Sequence, residues 1–225
     1  MTLRHFHEEL ELLKSRLVAM SGIAEAAVQN AVAALQERDP AKAQAVISRD
    51  ESLDEIELAI DDLCVNLLAL QQPMARDLRF ITAAMKISND LERVGDHAVN
   101  IAEALAYLLE VAPFPSLPEL DEMGRISTSM LSDALNAFIL SDNALAREVV
   151  DRDDRVDELH ESNFRILLTH MMEDQRMITA GMDLLLVSGN LERIADLATN
   201  IAEEVVFFVE GHSIKHHAEK KRQAR

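Results

Sequence analysis

Residues 91–103 read LERVGDHAVNIAE, and residues 191–203 read LERIADLATNIAE. The two are identical at nine of thirteen positions at an offset of 100. A second matched pair lies upstream. AKAQAVISRDESLDEIE (41–57) aligns with ALAREVVDRDDRVDELH (144–160) at an offset of 103, and Asp39 and Asp142 precede the two segments at that same offset. Two matched blocks in the same order mark a duplicated unit of about 100 residues, so the chain must adopt a fold that can be built twice.

Punctuation within each unit predicts helices. Asp39 reads as an N-cap with Pro40 at the first helical position. Val46, Leu53, Ile56, Ile60, Leu63 and Leu67 then recur at helical spacing until Pro73. A third segment, from about Met74 to Glu110, carries Ile81, Met85, Ser88, Leu91, Gly95, Ala98 and Ala102 on one face. VAPFPSLP (111–118) cannot continue a helix, because its prolines lack the amide donor, and it reads as the inter-domain linker. The second unit repeats the plan: a helix from about Leu117 to Leu140, one capped by Asp142 and running to about Met172, and one from about Arg176 to Glu210 stopped by Gly211. No run alternates with a strict period of two. The expected fold is all-α: two tandem, internally repeated antiparallel three-helix bundles, six long helices of roughly 25–36 residues each. The expected boundaries are 1–112 for the first bundle, 117–212 for the second, and 213–225 for a basic tail. Small residues at Gly95, Ala98 and Ala102, and at Ala195, Ala198 and Ala202, would permit close helix approach.

Composition narrows the function classes. Apolar residues make up 48% and charged residues 28%, enough for a packed core. The net charge of −18 repels nucleic-acid phosphates, so no nucleic-acid partner is expected; cations or basic protein surfaces suit it better. The last fifteen residues reverse the sign, with five Lys/Arg and one Glu. The single Cys64 excludes an internal disulfide and reads as a buried thiol. The longest charge-free run, Leu63 to Ala75, is shorter than the ~20 residues of a spanning helix. A cytoplasmic protein that reaches membranes only through a partner is the expectation.

Chemistry concentrates on paired carboxylates. Glu92 and Asp96, then Glu192 and Asp196, stand at i, i+4 on the third helix of each unit, with Asn100 and Glu103, and Asn200 and Glu203, extending the face. The second helices carry Asp50 and Asp54, then Asp153 and Asp157, at the same spacing. Like charges one turn apart repel, and a bound cation reverses that sign. Hard oxygen donors without cysteine suit magnesium, calcium, manganese or iron. One such pair means little among 40 acids; four at corresponding repeat positions mean more. Arg93 and Arg193 read as intrahelical salt-bridge partners rather than phosphate contacts. His97 reads as a surface or capping residue, His160 as an ordinary polar position because its counterpart is Glu57, and His212, His216 and His217 as part of a solvated tail.

At these residues the chain resembles the PhoU family of phosphate-uptake regulators. The likeness lies in ARDLRFITAAMKISNDLERVGDHAVNIAE (75–103), in LERIADLATNIAE, in MMEDQR (171–176), in RHFHEELELLKSRL (4–17) and in VEGHSIKHH (209–217). It implies two similar three-helix bundles, often a homodimer, with no enzymatic reaction. It implies a negative regulator of phosphate uptake and of the phosphate-starvation response, an adaptor coupling the ATPase subunit of the phosphate ABC transporter to a sensor histidine kinase. It also implies a divalent or trivalent cation (iron, zinc, manganese, magnesium or calcium) on Glu92, Asp96, Glu192 and Asp196, with Asp50, Asp54, Asp153 and Asp157 on the neighbouring helices. The second motif departs from the usual pattern, with Ala195 in place of glycine and Asn190 in place of the acid at Asp90, so the second site is expected to hold a cation differently. A carboxylate-bridged metalloenzyme is the alternative, although the chain has no Glu-x-x-His. A metal-free helical scaffold is the other.

Overall fold

The computed structural model describes residues 3–48, 51–110, 116–212 and 214. Among them the order is α1 (Leu3–Glu37), α2 (Pro40–Ile47), α3 (Glu51–Gln71), α4 (Ala75–Glu110), α5 (Pro118–Leu140), α6 (Asn143–Glu173), a single 3₁₀ turn (Gln175–Met177) and α7 (Ile178–Glu210), with no strand. The first unit packs α1, α2, α3 and α4 together, and the second packs α5, α6 and α7. This is the expected all-α pair of bundles with one difference. The second helix of the first unit is broken, whereas its counterpart α6 is continuous. Ser48 is the C-cap of α2, its amide donating to the Gln44 and Val46 carbonyls. Most of the linker 111–118 lies outside the described residues, as do most of the tail and its His216 and His217.

The turn from first to second helix is built identically in both units. Arg38 (φ 53°) and Ser141 (φ 54°) adopt left-handed backbone, and the next amide reaches back to the helix: Asp39 to the Ala34 carbonyl at 2.9 Å, Asp142 to the Ala137 carbonyl at 2.8 Å. The same aspartates then cap the following helix. Asp39 Oδ1 accepts from the Ala41 and Lys42 amides, and Asp142 Oδ1 from the Ala144 and Leu145 amides. Gly211 ends α7 at φ 81°, as its type predicts.

The core is a continuous column of Leu, Ile, Val, Ala and Met. Leu13, Leu17, Met20, Ile60, Leu67, Ile81, Ile87, Leu91 and Ile101 are fully buried in the first unit, and Met123 and Met130 in the second. Burying each such side chain stabilises the fold by about 1.5–3 kcal/mol. Cys64 is buried among them, and desolvation together with the nearby Asp61 carboxylate pushes its thiol up to about 12. An 18-residue window within His5–Glu37 reaches a mean hydropathy of 1.3, which meets the length and composition test for a membrane span. In this fold the helix is a bundle element, with Leu10, Leu13, Leu17, Met20, Ala24 and Val28 turned into the core.

The units join through their third helices, the most extensive helix pairing in the molecule. Contacts between α4 and α7 run in opposite chain directions: Arg79 Nε donates to the Phe208 carbonyl at 3.3 Å, Lys86 Nζ reaches both Glu204 oxygens at 3.1 Å, and His97 Nδ1 meets Asn190 Oδ1 at 2.8 Å. Because α4 and α7 are repeat equivalents, this antiparallel register relates the two units by a local twofold near the fully buried Val94 and Ile194. Phe80, Phe138 and Phe208, with ring centroids 5.9–6.0 Å apart, tie α4, α5 and α7 at one end.

Candidate metal-binding faces

In the first unit the register of α3 against α4 is set by two contacts. Asn89 Nδ2 donates to Glu57 Oε1 at 3.3 Å, and Leu53 lies directly against Gly95. A β-carbon at position 95 would coincide with the Leu53 Cδ1 methyl, so glycine is what lets α3 approach here. Antiparallel helices in this register bring Asp54 alongside Glu92, and Asp96 one turn on toward the start of α3. Asp54 and Asp96 are exposed, and Glu92 is half-buried. Asp50 lies outside the described residues.

In the second unit the same face is more enclosed. Asp153 is 9% exposed, and Asp157, Glu192 and Asp196 are half-buried. Asp196 accepts from its own helix, with Arg193 Nη1 3.4 Å from Oδ2, and Arg93 pairs with Asp90 at 3.6 Å. Both arginines thus form the expected intrahelical bridges. Glu103 and Glu203, equivalent in sequence, part company: Glu103 is exposed, while Glu203 is 6% exposed. The carboxylate face therefore does not extend equally in the two units.

Sequence reasoning passed over two features. His160 belongs to the face, because its Nδ1 lies 2.9 Å from Ser188 Oγ and its Nε2 4.0 Å from Glu192 Oε2. Its place three residues beyond Asp157 was the available signal. Glu204, with its side chain 1% exposed, is a buried carboxylate held by Lys86 across the inter-unit seam; its counterpart is Ala104, so the duplication gave no sign of it.

Among the described residues no three His, Cys, Asp or Glu side chains converge as a ready ligand set. In kind, the donors fit a hard cation: carboxylates on two facing helices, with one imidazole added in the second unit and no thiolate near. The hydroxyl that His160 meets, Ser188 Oγ, is fully buried and lies 3.4 Å from Met123 Sδ, so it does not face a substrate. What the arrangement defines is a class, a duplicated helical-bundle protein with acidic paired-helix faces.

The comparisons with known proteins agree with that class and refine it. The PhoU domain profile matches twice, over residues 17–105 and 120–205. A phosphate-specific transport system accessory protein PhoU homolog of Caulobacter vibrioides (strain NA1000 / CB15N) is 44% identical over 214 residues, covering 95% of this chain and 93% of the relative. The homolog from Xylella fastidiosa (strain 9a5c) is 38% identical over 211 residues, covering 94% and 89%. The crystal structure of PhoU from Pseudomonas aeruginosa superposes with a TM-score of 0.90 at 39% identity, over 92% of this chain and 100% of that one. That of the phosphate transport system regulatory protein PhoU from Streptococcus pneumoniae gives 0.84 at 32%, over 93% and 99%. The chain belongs to the PhoU family.

Proposed function

We propose that the protein is an accessory regulator of phosphate-specific transport, a non-enzymatic adaptor that restrains phosphate uptake and the phosphate-starvation response. Its partners in this reading are the ATPase subunit of the phosphate ABC transporter and a sensor histidine kinase. It works in the cytoplasm as a homodimer and meets the membrane only through those partners. Support comes from family membership and from relatives named as accessory proteins of phosphate-specific transport. The observation that carries the reading is the duplication itself: two bundles locked through α4 and α7 present two repeat-related but differently enclosed paired-helix faces, a design suited to engaging two different surfaces at once.

Each face would hold a cation through Glu92, Asp96, Asp54 and Asp50 in the first unit, and through Glu192, Asp196, Asp153 and Asp157 in the second. A bound cation would supply charge neutralisation where like carboxylates stand one turn apart. Gly95 and Leu53 set the spacing between α3 and α4, and His160 stands 4.0 Å from Glu192 on the neighbouring helix. The test is affinity capture from the native host grown with and without phosphate. Phosphate-dependent recovery of the ATPase subunit and the kinase is expected, with loss of repression on gene deletion; unchanged repression in a clean deletion refutes the regulatory reading. Metal analysis of untagged protein tests the cation. If Asp96→Asn with Asp196→Asn changes neither metal content nor repression, the metal-free scaffold replaces it.

A further inference from the structure

Two stripes of large apolar side chains stand exposed on the second unit. Phe164, Leu168 and Met172 recur one turn apart on α6, and Ile178, Met182 and Leu186 do so on α7; each is between 42% and 79% exposed. The stripes lie on one face. His160 and Asn163 meet Ser188, and a β-carbon at Gly181 would sit 2.7 Å from Met171 Cγ, so these residues mark the contact line of the antiparallel pair. Phe164 and Met172 follow Asn163 and Met171 by one residue, as Met182 follows Gly181. In antiparallel neighbours, a step of one residue off the contact line turns both helices toward the same side. The result is two ridges side by side, each about 12 Å long and separated by about 8–10 Å. Six side chains, each roughly half exposed, present on the order of 500 Å² of apolar surface, at the upper end of what a monomer shows in one patch.

The first copy does without this face. At the repeat offsets of 103 and 100, the six positions hold Asp61, Val65, Ala69, Leu78, Thr82 and Lys86. Four of these are charged, hydroxylated or small, so packing of the bundle does not call for an apolar surface here.

Charge around the ridges selects the occupant. Residues 143–210 carry fifteen Asp/Glu against six Arg and no Lys, a formal charge of −9 with histidine neutral. The carboxylates Asp157, Glu192 and Asp196 begin about two turns beyond Phe164 and Leu186. These acids keep their own partners. What they contribute is a negative field along the hairpin, which attracts a basic surface and repels a second copy of the same hairpin. Two helical ridges with a trough between them accept a third helix laid along them, anchored by apolar side chains at i, i+3, i+4 and i+7.

We propose that the face formed by Phe164, Leu168, Met172, Ile178, Met182 and Leu186 docks an amphipathic helix of a partner protein, its apolar stripe bordered by lysine or arginine. This inference is independent of the phosphate-regulatory reading.

The probe is a fluorescein-labelled helical peptide of about 18 residues, with leucine at helical spacing on one face and lysine along both borders of that face. It is titrated into the full chain and read by fluorescence anisotropy, beside a twin that carries glutamate at the borders. Saturable binding of one lysine peptide per chain is expected, with the glutamate twin weaker by about tenfold or more. Met172→Ser with Met182→Ser, at positions already more than half exposed, should keep the parent's circular dichroism and weaken the lysine peptide by about tenfold or more. Leu58→Ser with Val65→Ser, also more than half exposed but on the first unit, should leave binding unchanged. Equal binding of the two peptides, or undiminished binding to the Met172 and Met182 variant, overturns the proposal. So does sedimentation in which the parent chain is a dimer and that variant a monomer, because the occupant is then a second copy.

Discussion

Gly95→Ala probes the contact that sets the distance between the two acidic helices of the first unit. Alanine in place of glycine inside a helix gains about 1 kcal/mol from propensity. Against that, the new β-carbon would overlap Leu53 Cδ1, so the Leu53 side chain, which is 2% exposed and borders a cleft of about 550 Å³, must leave its present rotamer. Forcing a packed side chain off its rotamer in this way costs about 1–3 kcal/mol. Gly189→Ala on α7 is the matched control, since nothing lies within 4 Å of its β-carbon. The propensity gain cancels between the two variants and leaves the packing cost alone. Gly189→Ala should therefore be more stable than Gly95→Ala by about 1–3 kcal/mol. At about 2–4 °C per kcal/mol for a chain of this size, the separation in midpoint is roughly 2–12 °C. Urea denaturation followed by circular dichroism, with equal slopes, is the assay. Equal stabilisation by both substitutions would refute the assignment of Gly95 as a contact glycine.

Three further outcomes follow from other positions. Lys86→Met strips a cation from the buried Glu204 and should destabilise by about 3 kcal/mol, whereas the double variant with Glu204→Leu should regain most of the loss, as a denaturation cycle would show. Asp183 has a buried oxygen without a hydrogen-bond partner among the described residues, and desolvation raises its pKa above the usual 3.8. Its charge therefore weighs against folding once pH rises through that range, so Asp183→Asn should raise the melting midpoint at pH 7 and leave it nearly unchanged at pH 3. Cys64, whose thiol is raised to about 12, stays protonated near neutrality and should react with a disulfide reagent only at the rate of unfolding, a correspondence that stopped-flow labelling in urea would check.

The sequence carried the fold because each unit's punctuation is local. Asp39, Asp142 and Gly211 act through backbone within a few residues, and the helical spacing of Val46, Leu53 and Ile60 reports directly on burial. The break after Ile47 was hidden because periodicity passes through Ser48 unchanged. The paired aspartates and glutamates were visible as repeats, yet their surroundings were not. Glu203 reads as an extension of the carboxylate face, but the packing of α7 against its neighbours buries it together with Glu204, and nothing in a single helix's pattern encodes a second bundle. His160 was dismissed because its repeat partner is Glu57, although a duplicated unit is free to specialise one copy.

The antiparallel union of α4 and α7 has a mechanical consequence. Since these helices are at once the inner wall of each half and the seam between halves, the peptide running from Glu110 to Pro118 is not what holds the molecule together. Cutting the backbone there should leave one particle rather than two. It also leaves no free joint: pulling on either half must slide Lys86 along Glu204 and unstack Phe80 from Phe138, so load applied at one end arrives at the other as shear, not as bending.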